Sequence, residues 1–375
     1  MQLQRLQLFN FKNYEEAELL FSDKIQCFLG NNGSGKTNLL DAIHYLAFTK
    51  SAVNPTDAQN IRHGQMQFVV KGDFLMGGKI KKEVVCSFQL GQKKIVGEDG
   101  QAYLKFSEHV GKYPVVLIAP QDIELIWDGS GLRRKFFDSL ISQLNTGYLQ
   151  NLIIYTNLLK QRNSLLRMFS MNGKIDHDLL TTYDEQIIKA GRFIHKVRQQ
   201  SLLEFLPLFK HHYQFLSGDT NEEVNITYGS DLETSDFKEL LSKNLQRDII
   251  LQRTSSGIHR DDFLFTLNNN ELKRLGSQGQ QKSFLIGLKL AEFQSIAERK
   301  GFKPLLLLDD IFDKLDDLRV HRLMLMIAQG SFGQIFITDT HLYRSKEILD
   351  SAKLTTERFI VENGKLSING QGQRR

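Results

Sequence analysis

Residues Gly30-Asn31-Asn32-Gly33-Ser34-Gly35-Lys36-Thr37 fit the pattern G-x-x-x-x-G-K-[ST], and no other stretch constrains the fold as much. The apolar run Ile25–Leu29 leads straight into it. Leu39, Leu40, Ile43, Leu46 and Ala47 follow at helical spacing. Strand, glycine loop and helix in that order aim backbone N–H groups and a helix N-terminus at a polyphosphate. In such a loop Lys36 reaches the β- and γ-phosphates and the Thr37 hydroxyl ligates Mg²⁺, with Asn38 next in the helix. A chance cluster of small residues lacks these flanks. The reading is therefore a Walker A loop on an α/β sheet that binds ATP with Mg²⁺.

The 375 residues suffice for two or three domains with a sizeable core. The net charge of +5 leans only mildly toward acidic partners. Cys27 and Cys86 lie in apolar, strand-like stretches and read as reduced core residues, without zinc spacing or a disulfide framework. The N-terminal residues lack a signal-peptide core, and no apolar run approaches the roughly 18 residues that span a bilayer. A cytoplasmic chain with no membrane partner is expected.

Strand patterns fill residues 1–30, and a meander over 66–105 is followed by a short strand, Val115–Ala119, that ends at Pro120. From about 132 to 216 the pattern turns helical. Tyr148, Leu152, Tyr155 and Leu159 fall on one face, with Lys160, Arg162 and Arg167 decorating the helix end. Strands return after 251, and the chain closes on a hairpin with an Asn363-Gly364 turn. The expected organisation is an ATPase lobe over 1–120, a helical lobe over 121–250, and the C-terminal part of the ATPase over 251–375.

Pro304-Leu305-Leu306-Leu307-Leu308-Asp309-Asp310 reads as a strand buried on both faces with two acids at its C-terminal end. This is Walker B form: Asp309 holds Mg²⁺ and Asp310 polarises the attacking water. Upstream, Gly276-Ser277-Gln278-Gly279-Gln280-Gln281-Lys282 precedes a helix whose N-terminus adds a positive dipole. Spacing alone also fits a plain polar cap. Its place just before Walker B is the layout of an ABC-type signature loop, whose Ser277, Gln278, Gly279 and Gln280 complete a partner's nucleotide site.

Several further stretches carry a family resemblance. Phe9-Asn10-Phe11-Lys12-Asn13-Tyr14, Val115–Ala119 with Pro120-Gln121-Asp122, and Arg133-Arg134-Lys135-Phe136-Phe137-Asp138 are three of them. Leu159–Leu166, Tyr183-Asp184-Glu185-Gln186 and Gly257-Ile258-His259-Arg260-Asp261-Asp262 follow in order. With the signature and Leu307–Asp316, the chain resembles the RecF family of SMC-like ATPases over nearly its whole length. The resemblance implies an α/β, ABC/SMC-like P-loop ATPase head with an antiparallel β subdomain and an inserted helical second lobe. It implies that Gln121 takes the Q-loop place near Mg²⁺ and the nucleophilic water, and that Asp313-Lys314-Leu315-Asp316 takes the D-loop place. Thr338-Asp339-Thr340-His341 falls where the γ-phosphate switch residue lies, with His341 an addition to a Thr-rich pattern. Thr49–Gly64 departs most from the family pattern in this lobe, and the basic residue that normally follows the Walker A helix has no plain match there, Arg62 being the candidate. Family membership further implies an ATP-bound homodimer that binds double-stranded DNA near single-strand gaps. RecR and RecO are the implied partners, RecA an indirect one, and ATP hydrolysis is slow and DNA-stimulated.

The basic clusters Lys79-Ile80-Lys81-Lys82, Lys93-Lys94 and Arg133-Arg134-Lys135 support DNA binding only weakly, since each also suits a solvated face. Two other functions compete. A transporter-type ABC subunit usually carries Leu-Ser-Gly-Gly-Gln and a Glu after the Walker B Asp, whereas this chain has Gly276–Gln280 and Asp310. A purely ATP-gated assembly module would need no turnover.

Overall fold

Alternating apolar residues in the first 20 positions and in 67–89 build an antiparallel sheet. Continuous apolar runs build a parallel sheet buried on both faces. The computed structural model describes residues 1–22, 25–219, 221–311, 317–340 and 355–368. The D-loop segment 313–316 and His341 lie outside the described residues. The strands are β1 (Gln2–Phe11), β2 (Tyr14–Leu20), β3 (Ile25–Leu29), β4 (Gln67–Met76), β5 (Ile80–Gln89), β6 (Ile95–Glu98), β7 (Gln101–Ala102), β8 (Val115–Ile118), β9 (Val224–Gly229), β10 (Asp262–Leu267), β11 (Asn270–Glu271), β12 (Leu305–Leu308), β13 (Ile335–Asp339), β14 (Thr356–Glu362) and β15 (Lys365–Ile368). The helices are α1 (Lys36–Phe48), α2 (Glu124–Trp127), α3 (Ser130–Leu144), α4 (Thr146–Asn172), α5 (His177–Ser217), α6 (Phe237–Lys243), α7 (Leu245–Leu251), α8 (Leu272–Leu275), α9 (Gln278–Lys300) and α10 (Asp317–Ala328).

The chain forms two compact units: residues 1–123, 212–218 and 278–375, and residues 124–211 and 219–277. In the first, the sheet order is β15-β14-β3-β13-β12-β8, parallel throughout except for the β14–β15 hairpin. The C-terminal ends of β3, β13, β12 and β8 therefore share one edge, where ligands bind in open α/β sheets. A second sheet runs β2-β1-β4-β5-β6-β7. The Phe21 ring sits edge-on to Phe336 and Phe359 at 5.0 and 5.8 Å, and Tyr45 of α1 packs edge-on to Phe68 at 5.4 Å. Burying each such ring stabilises by roughly 1.5–3 kcal/mol. Buried Gln334 exchanges hydrogen bonds with Leu3 N–H and C=O (2.7 and 2.9 Å), pinning β1 to the residue just before β13. Cys27 and Cys86 are free and buried, and burial pushes both thiols up to about 12.

The second unit holds α3, α4, most of α5 and the sheet β11-β10-β9. On α4 the buried line is Tyr148, Tyr155, Leu158, Arg162, Leu166 and Phe169, with Leu152 and Leu159 half-buried. The expectation that Arg162 decorates an exposed helix end is overturned: its side chain is fully buried. It donates to Asp184 (2.6 Å), Asp248 (2.9 Å) and Thr254 (2.9 Å). A second buried guanidinium, Arg198, binds Asp138 (2.9 Å) and Asp261 (3.0 Å). Arg133 forks onto Asp262 with two 2.8 Å bonds, and Tyr155 and His259 share a 2.8 Å bond. Burial and the nearby Arg260 and Arg134 lower the His259 imidazole to about 4, which leaves it neutral at physiological pH. The motifs quoted from the middle of the chain thus meet in connected polar networks that fix the 254–262 segment.

Candidate nucleotide site

The glycine loop turns out of β3 and is braced by both ends of the chain. Asn13 Nδ2 and the Gly364 N–H each donate to the Ser34 carbonyl at 3.0 Å, and the Tyr14 hydroxyl donates to the Gly35 carbonyl at 3.1 Å. Asn38 donates to Asn13 Oδ1 at 2.7 Å. Gly35 has φ 116°, and a Cβ there would lie 2.4 Å from Asn13 Nδ2, so only glycine fits. Sequence reasoning gave Asn13 and Tyr14 no role. The available signal was a polar–aromatic pair at the β1–β2 turn.

Asn31, Asn32 and Gly33 are exposed at the mouth of the loop, while Ser34, Gly35 and Lys36 are buried. Lys36 Nζ donates to the Gly30 and Asn31 carbonyls at 2.8 and 3.0 Å. Ser34 Oγ is buried without a hydrogen-bond partner among the described residues. Thr37 Oγ1 donates to both Asp309 oxygens, at 2.9 and 3.2 Å, joining the two predicted motifs directly. Thr338 Oγ1 donates to Asp309 Oδ1 at 2.7 Å and accepts the Asp310 N–H at 2.9 Å. Burial raises the Asp309 carboxyl above its ordinary value, opposed by the Thr338 and Thr37 hydrogen bonds and the Lys36 charge.

Gln121 is exposed in the turn that follows β8, on the same sheet edge. The neighbouring Asp122 accepts the Ala119 N–H (2.8 Å) and faces Lys289 Nζ of α9 (3.3 Å). Gln278, Gly279 and Gln280 open α9, and Arg319 of α10 donates to Ser283 Oγ at 2.5 Å. Ser277, exposed, precedes that helix and falls in the second unit. Buried Lys12 and Asp41 pair at 2.6 Å, and Arg62 pairs with Glu15 at 3.0 Å. Of the basic clusters, Lys82 is engaged by Asp99 (2.6 Å), Lys94 by Asp57 (2.9 Å) and Arg133 by Asp262. Lys79, Lys81, Lys93 and Lys135 remain exposed. Among the described residues, no group of three or more His, Cys, Asp or Glu side chains is placed to hold a metal. No helix among them is long and apolar enough to cross a membrane.

A Walker A loop and Walker B acids on one edge of a parallel sheet, with an antiparallel sheet alongside in sequence, define an SMC-like ATPase head. The RecF/RecN/SMC N terminal domain family matches residues 2–362. Within that class the chain belongs to the RecF family of DNA replication and repair proteins. It is 47% identical to the DNA replication and repair protein RecF of Flavobacterium johnsoniae, over 96% of this chain and 99% of that one. A solved structure of the recombination mediator protein RecF with ATP, from the RecFOR pathway, superposes with a TM-score of 0.88. It is 29% identical over 98% of this chain and 97% of its own. The Pyrococcus furiosus Smc head domain shares the fold alone, with a TM-score of 0.56 and 14% identity over 98% and 95% of the two chains.

Proposed function

We propose that this chain is an ATP-gated DNA clamp of recombinational repair that dimerises around two nucleotides. The joining of Thr37 to Asp309 beside a braced glycine loop supports the reading most directly. The donor set suits the ligands. Buried Ser34 Oγ offers an open partner to a phosphate oxygen. Thr37 and Asp309 supply the hard oxygens that Mg²⁺ takes alongside phosphates, which it prefers to an all-protein cage. When bound, Mg²⁺ neutralises charge on the phosphate oxygens. Lys36 leaves the Gly30 and Asn31 carbonyls for the β- and γ-phosphates, and the loop amides cradle the rest. Asp310 and Gln121 orient the attacking water, and Asp310 accepts its proton. Ser277, Gln278, Gly279 and Gln280 of a second copy close over the nucleotide. Slow hydrolysis times release from double-stranded DNA near gaps, where RecR and RecO join the clamp and RecA loading follows.

Light scattering with and without ATP and gapped DNA, at two salt concentrations, tests this. The expected result is a monomer without ATP, a dimer with it, and salt-sensitive DNA binding only in the dimer. A chain that stays monomeric with ATP, also as Asp310→Asn, overturns the clamp. A dimer that ignores DNA favours the transporter-type or assembly reading.

A further inference from the structure

Thr338 is fully buried on β13, one strand from Walker B. Its single hydroxyl serves both acids, donating to the Asp309 carboxylate at 2.7 Å and accepting the Asp310 N–H at 2.9 Å. Asp310 has φ 44°, in the left-handed region that L residues avoid and that Asp tolerates better than most. Such a conformation persists only where the surroundings hold it. A β-branched residue suits this strand, and valine would supply the same shape. The threonine adds a hydroxyl whose donor and acceptor are both used.

The Asp309 carboxylate receives two side-chain hydroxyls among the described residues, Thr37 and Thr338. The Thr37 hydroxyl sits in the glycine loop and would meet a metal ion through an oxygen lone pair while its proton stays on Asp309. Thr338 fixes the same carboxylate from the adjacent strand, outside the glycine loop and independently of it. We propose that Thr338 is a positioning residue for nucleotide hydrolysis, setting the Asp309 carboxylate toward Mg²⁺ and locking the backbone that carries Asp310. This rests on the nucleotide-site reading above and adds to it a residue that neither Walker motif contains.

The test compares wild type, Thr338→Val and Thr338→Ser. Binding of a fluorescent ATP analogue is titrated with Mg²⁺ and repeated in EDTA, alongside kcat, KM and the melting temperature of the nucleotide-free protein. In Thr338→Val the Mg²⁺ midpoint rises about tenfold, as expected for losing a hydrogen-bond partner of a metal ligand, and kcat falls while binding in EDTA holds. Thr338→Ser, which keeps the hydroxyl, stays close to wild type. A Thr338→Val protein with wild-type Mg²⁺ dependence overturns the proposal, whatever its melting temperature. So does a Thr338→Ser protein as defective as Thr338→Val. Wild type that fails to bind the analogue overturns the nucleotide-site reading itself, so the two failures are told apart.

Discussion

Glu292 is a buried acid on α9, with Lys289 one turn before it and Asp122 across from that lysine. Burial, with a contribution from the Asp122 charge, pushes its carboxyl up to about 7, although Lys289 pulls it down. The ordinary value for the unfolded chain is 4.5. Between these values the folded chain keeps a proton that the unfolded chain has released. Stability therefore falls as pH rises through that window, and above about 7 the penalty is constant. The full effect is about 3 kcal/mol, because a tenfold change in proton affinity is worth about 1.4 kcal/mol. Glu292→Gln should flatten this slope and gain stability at pH 8 relative to wild type. Urea midpoints for both proteins from pH 5 to pH 8 check it. Parallel curves would mean that Glu292 is ionised throughout.

At the level of elements, the C-terminal hairpin belongs to the nucleotide site. Asn363 and Gly364 form its turn with φ 49° and 76°, and the Gly364 N–H donates to the Ser34 carbonyl. A Cβ at 364 would lie 2.5 Å from the Asn13 carbonyl oxygen, so the turn, the β1–β2 corner and the glycine loop are wedged together. Gly364→Ala should therefore weaken ATP binding about tenfold, the equivalent of the 1–2 kcal/mol that an L residue loses in this conformation. Titration with a fluorescent ATP analogue checks it, and unchanged affinity would show that the brace is dispensable. The hairpin itself was legible in the sequence, because Asn-Gly between two apolar stretches dictates a type I′ turn. Its contact with the loop was not, because a bond across more than 300 residues leaves no local pattern. Both Walker motifs were legible for the opposite reason: each packs its chemistry into one short run of strand and loop. Arg162 was misread because helical periodicity scores a charge as solvent-facing, while its acid partners lie 22 and 86 residues away. Strand β9 went unassigned because its alternation spans only six residues.

At the scale of the whole molecule, charge is unevenly placed. The excess of +5 lies in the unit that carries the glycine loop, while acids and bases of the helical unit cancel. Within the first unit several candidate cations are already engaged, since Lys71, Lys82, Lys94 and Lys112 are paired with Glu83, Asp99, Asp57 and Glu98. Lys79 and Lys81 at the start of β5, and Lys93 beyond its far end, are exposed. Flexible lysines of this kind meet phosphates and not base edges. For the clamp proposed above, DNA binding should therefore be indifferent to sequence and lose at least about tenfold in affinity between 50 and 200 mM salt, the loss expected of two or more neutralised phosphates. Replacing Lys79, Lys81 and Lys93 together by Gln should flatten the salt slope and leave ATP-driven dimerisation intact, because none of the three touches the nucleotide loop. Anisotropy of labelled duplex DNA across a salt series measures the slope, and light scattering measures the dimer. A slope unchanged by the triple substitution would move the DNA-binding face elsewhere on the molecule. A slope near zero in the wild type would remove phosphate recognition as the basis of binding.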